Sequence, residues 1–282
     1  MKVELVRTAG FCFGVRRAVR MVDEALKRAD GPVYTLGPLI HNPQMVARME
    51  EMGVRVIGPE DDLPPGVVVL RSHGVPPQVE EKVKAKGHKV LDATCPFVRN
   101  AQMYARSLRE EGYEVVIVGK RGHEEVEGIL GYTGGEAYVV WRPEELVCLG
   151  RPDRVGVVAQ TTTPFEIFSS VVSELLKRAK HIKVYNTICD STSKRQEETA
   201  SLAERADVMI IVGGRNSANT TRLAELCRGL GKATYHIETA DELRPEWVEG
   251  ASLVGVSAGA STPDWLIEEV MEKLKIWNEG GK

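Results

Sequence analysis

The chain has 282 residues, 43% hydrophobic and 27% charged, with a formal net charge of −3. This composition excludes a disordered segment, a collagen-like fibre and a disulfide-dense miniprotein, and the mildly acidic balance argues against a nucleic-acid binder. No apolar run approaches the ~18 residues of a membrane span, and the charged start MKVELVRTAGFC lacks a secretion signal's apolar core, so a cytoplasmic protein with no membrane partner is expected.

In chain order, KVELVRTAGFC reads as a short strand beginning Lys-Val and ending in a loop at Cys12. An amphipathic helix over VRRAVRMVDEALKRA follows, then a second strand that ends in a polar loop, GPLIHNP, with His41. The β-branched run VVVL at 67–70 ends in RSHGVPP with His73. KVLDATC repeats the first pattern at Cys95. A helix and VVIV at 115–118 lead on to GKRGHEEVEG with His123, and VGVV at 155–158 leads to AQTTTP with Thr161. KVYNTIC opens a third round at Cys189. It continues through a helix over TSKRQEETASLAERA, VMIIV at 208–212, GGRNSANTT with Asn219, LVGV at 253–256 and SAGASTP with Ser261. Uniformly apolar strands alternating with helices predict parallel sheets covered on both faces.

The offsets from the cysteines to His41, His123 and Asn219 are 29, 28 and 30 residues, and the cysteines stand 83 and 94 residues apart. This register predicts three similar α/β domains around a pseudo-threefold axis. They are 1–95 with Cys12, His41 and His73; 96–188, opened by Cys95, with His123, Glu125 and Thr161; and 189–282 with Cys189, Asn219 and Ser261. Ligands of open α/β sheets bind outside the carboxyl ends of the strands, so the three thiols are expected to converge there. Cys148 and Cys227 break the register and read as structural. There is no CxxC pair, and an odd cysteine count in a reducing compartment argues against a disulfide framework.

Three convergent thiols suit a soft metal or an iron–sulfur cluster with one open position, and with a histidine they equally suit zinc. His41, His73 and His123 lie in strand-end loops. Ser217, Asn219 and Thr220 precede the helical TRLAELCRGL, where hydroxyl, amide and free N–H groups make an anion pocket or a plain N-cap. A carboxyl in such a pocket would have a raised pKa, as an acid needs; Glu125 is the candidate, with Glu124 and Glu127 as rivals. No GxxxxGK[ST] or strand-linked GxGxxG occurs, so a redox enzyme of this kind would draw electrons from a protein carrier.

The motifs AGFCFGVRRAV, GPLIHNP, RSHGVPP, DATCPFV, GHEEVEG, QTTTP, NTICDST, NSANT and AGASTPD, in this order, resemble the LytB/IspH family of 4-hydroxy-3-methylbut-2-enyl diphosphate reductases across essentially the whole chain. The resemblance implies one central 4Fe–4S cluster per chain, held by Cys12, Cys95 and Cys189. It implies a diphosphate pocket of His41, His73, His123, Ser217, Asn219 and Ser261, with Thr161 and Thr162 beside the substrate hydroxyl. It also implies catalytic roles for Glu125, Thr161 and His123, with Glu125 as proton donor. The implied reaction is a two-electron reductive dehydroxylation of an allylic diphosphate to isopentenyl and dimethylallyl diphosphate, the last step of the methylerythritol phosphate route, with ferredoxin or flavodoxin as electron donor. The chain departs from the family pattern at Ala218, where a serine is usual, so one phosphate contact must come from backbone or water. The rival readings are a zinc-dependent hydrolase or lyase and a non-catalytic anion clamp; metal analysis separates off the first, and turnover the second.

Overall fold

The computed structural model describes residues 1–280. Twelve strands form three four-stranded, all-parallel sheets among the described residues. One contains β1 (Lys2–Leu5), β10 (Val208–Val212), β11 (Ala233–Ile237) and β12 (Leu253–Ala258), in the order β1-β12-β10-β11. The second contains β2 (Val33–Leu36), β3 (Val54–Ile57), β4 (Val67–Leu70) and β5 (Lys89–Asp92), ordered β3-β2-β4-β5. The third contains β6 (Glu114–Val118), β7 (Ala137–Val140), β8 (Arg154–Ala159) and β9 (His181–Val184), ordered β7-β6-β8-β9. The helices are α1 (Phe13–Arg28), α2 (Pro43–Glu51), α3 (Pro77–Ala85), α4 (Pro96–Glu110), α5 (Glu124–Tyr132), α6 (Phe165–Leu175), α7 (Asp190–Arg205), α8 (Ala218–Gly229) and α9 (Asp264–Gly280).

The contacts divide the chain into two compact units. A terminal unit holds Met1–Arg16, Ile40–Arg48 and the chain from Asp190 onward; a central unit holds Arg17–Leu39 and Met49–Cys189. The first sheet belongs to the terminal unit and the other two to the central unit. Strand β1, placed by the sequence reading in segment 1–95, pairs with β12 instead. Parallel neighbours must be joined by a crossover, so a strand's sheet partner need not be its neighbour in sequence.

The apolar runs have a direct explanation. In β10, Val208, Ile210 and Val212 pack toward Ile267, Val270 and Leu274 of α9, while Met209 and Ile211 pack toward Leu202 of α7 and Leu223 of α8. In β6, Val116 and Val118 meet Phe168, Val171 and Leu175 of α6, while Val115 and Ile117 meet Ala101, Ala105 and Leu108 of α4 and Ile129 of α5. Strands covered on both faces therefore need apolar residues at every position. Glycine interrupts two of them where a helix comes close. A Cβ on Gly156 would stand 2.6 Å from Leu108 of α4, and one on Gly255 would stand 3.0 Å from Leu202 of α7 as well as 2.4 Å from Met209 on the neighbouring strand β10.

Two expectations are corrected. Each sheet has a fourth strand, β3, β7 or β11, that the reading of three strands per round omits. All three are edge strands; polar residues such as Arg55 and His236 break the runs of β3 and β11, whereas β7 (AYVV) is apolar throughout. In the third round, Lys183 and Val184 end β9 rather than begin it, since the strand starts at His181.

In every sheet the connections change direction between the second and third strands of the order: β2/β4, β6/β8 and β10/β12. The paired polar loops follow those strands, and such a switch point is where open α/β sheets bind ligands.

Candidate active site

The three cysteines share one backbone arrangement. Each follows an edge strand, β1, β5 or β9, and each donates its N–H to a carbonyl in the loop after the neighbouring strand. Cys12 donates to Ala260 (3.1 Å), Cys95 to Ser72 (2.9 Å) and Cys189 to Thr161 (2.9 Å). All three are partly buried thiols outside any disulfide. Cys12 lies in the terminal unit, while Cys95 and Cys189 lie in the central unit. Cys148 is exposed. Cys227 is fully buried, and that burial pushes its thiol up to about 11, which makes it inert at neutral pH.

Within the central unit, His123 caps α5, its Nδ1 accepting from the Glu125 N–H at 3.1 Å. In the neutral ring this places the proton on Nε2. Glu125 is only 2% exposed. Thr161 N–H donates to its Oε1 at 2.6 Å, and Thr161 Oγ1 lies 3.0 Å from its Oε2. Burial raises the Glu125 carboxyl from 4.5 to about 7, against the lowering effect of those two bonds. Near neutral pH it can therefore hold a proton, as a general acid requires.

The rival glutamates do other work. Glu124 pairs with Arg71 Nη1 at 2.9 Å and lies 3.8 Å from His73 Nδ1. Glu127 accepts from the Gly122 N–H at 3.2 Å and closes the loop before α5. The His73 and His123 rings stand edge to face, 6.0 Å apart. Thr162 Oγ1 accepts from Gln160 Nε2 at 3.1 Å. Arg71, which the sequence reading did not single out, also donates from Nε to the Gly74 carbonyl (3.2 Å) and so braces the loop that carries His73. An arginine beginning RSHGVPP has no sequence mark that separates it from a surface arginine.

Within the terminal unit, Ser217 caps α8 by accepting from the Thr220 N–H at 3.3 Å. Ser261 Oγ donates to the His41 carbonyl at 3.0 Å, which brings those two loops together. Asn219, 5% exposed, has no hydrogen-bond partner for either amide atom among the described residues. Unmatched buried polar atoms cost stability, and these two suit a polar ligand that takes up their hydrogen bonds. The helix N-terminus adds free N–H groups and a positive dipole end, which suits an anion.

No helix among the described residues is long and apolar enough to cross a membrane.

Comparison with known proteins gives a consistent result. The family model described as LytB protein matches residues 3–275. The 4-hydroxy-3-methylbut-2-enyl diphosphate reductase of Pelobacter propionicus is 51% identical, with 97% of this chain and 98% of that protein covered. The reductase of the same name from Aquifex aeolicus is 50% identical, with 96% and 95% covered. Among solved structures, an (E)-4-hydroxy-3-methyl-but-2-enyl diphosphate reductase, described as the terminal enzyme of the non-mevalonate pathway, matches with a TM-score of 0.73 at 48% identity, covering 98% of this chain and all of that one. The Plasmodium falciparum E-1-hydroxy-2-methyl-but-2-enyl-4-diphosphate reductase matches with a TM-score of 0.89 at 26% identity, covering 98% of this chain and 87% of that one. With the family model spanning nearly the whole chain and relatives at half identity end to end, this chain belongs to the LytB protein family.

Proposed function

We propose that this chain is a 4-hydroxy-3-methylbut-2-enyl diphosphate reductase that removes the allylic hydroxyl of its substrate as water. Two electrons and two protons enter; the C–O bond breaks, and isopentenyl or dimethylallyl diphosphate leaves. One observation carries the reading. Thr161 binds the buried acid Glu125 through its N–H and hydroxyl, and accepts from the Cys189 N–H through its carbonyl. A single residue thus links a proton source to the backbone that carries a cysteine of the proposed metal centre.

Cys12, Cys95 and Cys189 are proposed to hold one 4Fe–4S cluster. Three reduced thiols on hydrogen-bonded loops fit it, because soft thiolates are the usual ligands of such clusters. When bound, the cluster supplies one-electron transfer and a Lewis-acidic iron without a protein ligand. Protonated Glu125 Oε2 donates toward Thr161 Oγ1, whose own proton passes to the departing hydroxyl. His123 donates from Nε2, its Nδ1 being committed to α5. His41, His73, Ser217, Asn219 and Ser261 orient the diphosphate with His123, and Thr162 stands beside the reacting end. Each proposed repeat, 1–95, 96–188 or 189–282, supplies polar strand-end loops to this work. The proposed electron donor is a ferredoxin or flavodoxin. Five reduced thiols fit a reducing compartment, so the proposed location is the cytoplasm.

The test is iron and acid-labile sulfide analysis of protein purified without oxygen, followed by turnover of the allylic diphosphate. About four of each per chain, lost together in air, is the expected result. Zinc, or no metal, would overturn the assignment.

A further inference from the structure

The loops leading to the cysteines are held from outside by arginines that no catalytic step uses. Arg195 on α7 is 3% exposed. Its Nε donates to the Thr8 carbonyl at 2.7 Å and its Nη2 to the Gly10 carbonyl at 2.8 Å. Glu198, on the same helix, accepts from both the N–H and the hydroxyl of Thr8, each at 3.0 Å. Thr8 to Gly10 is the backbone that delivers Cys12. Arg17 on α1 makes the corresponding contacts in the central unit. Its Nη1 donates to the Thr94 carbonyl and its Nη2 to the Asp92 carbonyl, both at 3.2 Å. Those residues deliver Cys95. The third loop is held by stacking instead: Tyr104 of α4 lies parallel to Tyr185, four residues before Cys189, with centroids 4.1 Å apart.

These contacts follow a cyclic order. The helix that begins after Cys189 grips the loop to Cys12. The helix that begins after Cys12 grips the loop to Cys95, and the helix that begins after Cys95 grips the loop to Cys189. A guanidinium spanning two carbonyls fixes a loop in a way that one ammonium cannot, because its donors lie in a rigid plane.

We infer that Arg195 and Arg17 are positioning residues for the metal centre, each holding the backbone before Cys12 or Cys95 so that the thiol stays at its ligating position. The inference rests on the proposed assignment of these cysteines as cluster ligands. Groups that orient metal ligands typically matter at about 10–100-fold in metal affinity.

The test uses anaerobically purified holoprotein carrying Arg195→Met, Arg195→Lys, Arg17→Met or Thr199→Val. The last is the control: Thr199 lies further along α7, and its hydroxyl lies 2.8 Å from that of Ser257 on β12 rather than on the carbonyls that Arg195 holds. The readouts are iron per chain, the paramagnetic resonance spectrum of the reduced cluster, and the rate of iron release to a chelator. Arg195→Met and Arg17→Met should release iron at least about tenfold faster and show a changed spectrum, with Arg195→Lys between Arg195→Met and wild type. Thr199→Val should match wild type. If Arg195→Met does not fold, Arg195→Lys and Arg17→Met decide the matter. Wild-type release rates and spectra in the arginine variants, or equally fast release in Thr199→Val, would overturn the inference while leaving the ligand assignment intact. A wild-type protein that binds no iron would remove the ligand assignment itself.

Discussion

Replacing Glu125 with Gln should make the protein more stable at alkaline pH while removing its activity. In the unfolded chain this carboxyl loses its proton near 4.5, whereas in the folded chain burial holds the proton to about 7. Between those values the unfolded state binds fewer protons, so stability falls as pH rises. The cost is absent below 4.5, grows to about pH 7 and stays constant above it. The shift from 4.5 to about 7 is worth about 3 kcal/mol as an upper bound. Glutamine removes that cost without losing either contact. Its carbonyl can accept from the Thr161 N–H as Oε1 does, and its amide can donate to Thr161 Oγ1. The assay is urea denaturation of both anaerobically prepared proteins at pH 5 and pH 8. The two should nearly coincide at the lower pH, with the variant ahead by up to about 3 kcal/mol at the higher. Turnover should fall by about 10² or more, because the general acid is gone. A pH dependence of stability identical in the two proteins would refute the buried-acid argument.

Thr161→Val removes the hydroxyl that lowers the Glu125 pKa, so the alkaline limb of the pH–rate profile should move upward and turnover should drop; an unmoved limb would separate the two residues. Asn219→Ala should raise KM by about tenfold, the scale of a lost hydrogen bond to a charged group. Its denaturation midpoint should not fall, because both amide atoms of Asn219 lack hydrogen-bond partners among the described residues. Cys95→Ser should lose iron and sulfide on analysis, since a hydroxyl is a poor ligand for a soft metal centre.

The α/β class and the repeating order of cysteine, helix and polar loop were legible in the sequence for a physical reason. Strands such as β6 and β10 are buried on both faces and need unbroken apolar runs, while the loops after them must satisfy backbone groups and carry polar residues. The cysteine register was visible because it is a spacing. The edge strands β3 and β11 were not, because polar residues such as Arg55 and His236 break their runs, whereas β7 (AYVV) carries as apolar a run as β4. Only the tertiary structure placed β1 beside β12, since partner choice in a parallel sheet depends on crossovers of distant segments. The family resemblance pointed to Glu125, but only the tertiary structure gave a physical difference between it and Glu124 and Glu127. Three glutamates within one helical turn are chemically alike, and the difference lies in what each faces: Thr161 in the core, Arg71, or the Gly122 N–H. The same holds for Arg17 and Arg195, which look like surface residues until the backbone carbonyls they grip, many positions away in sequence, are brought within reach.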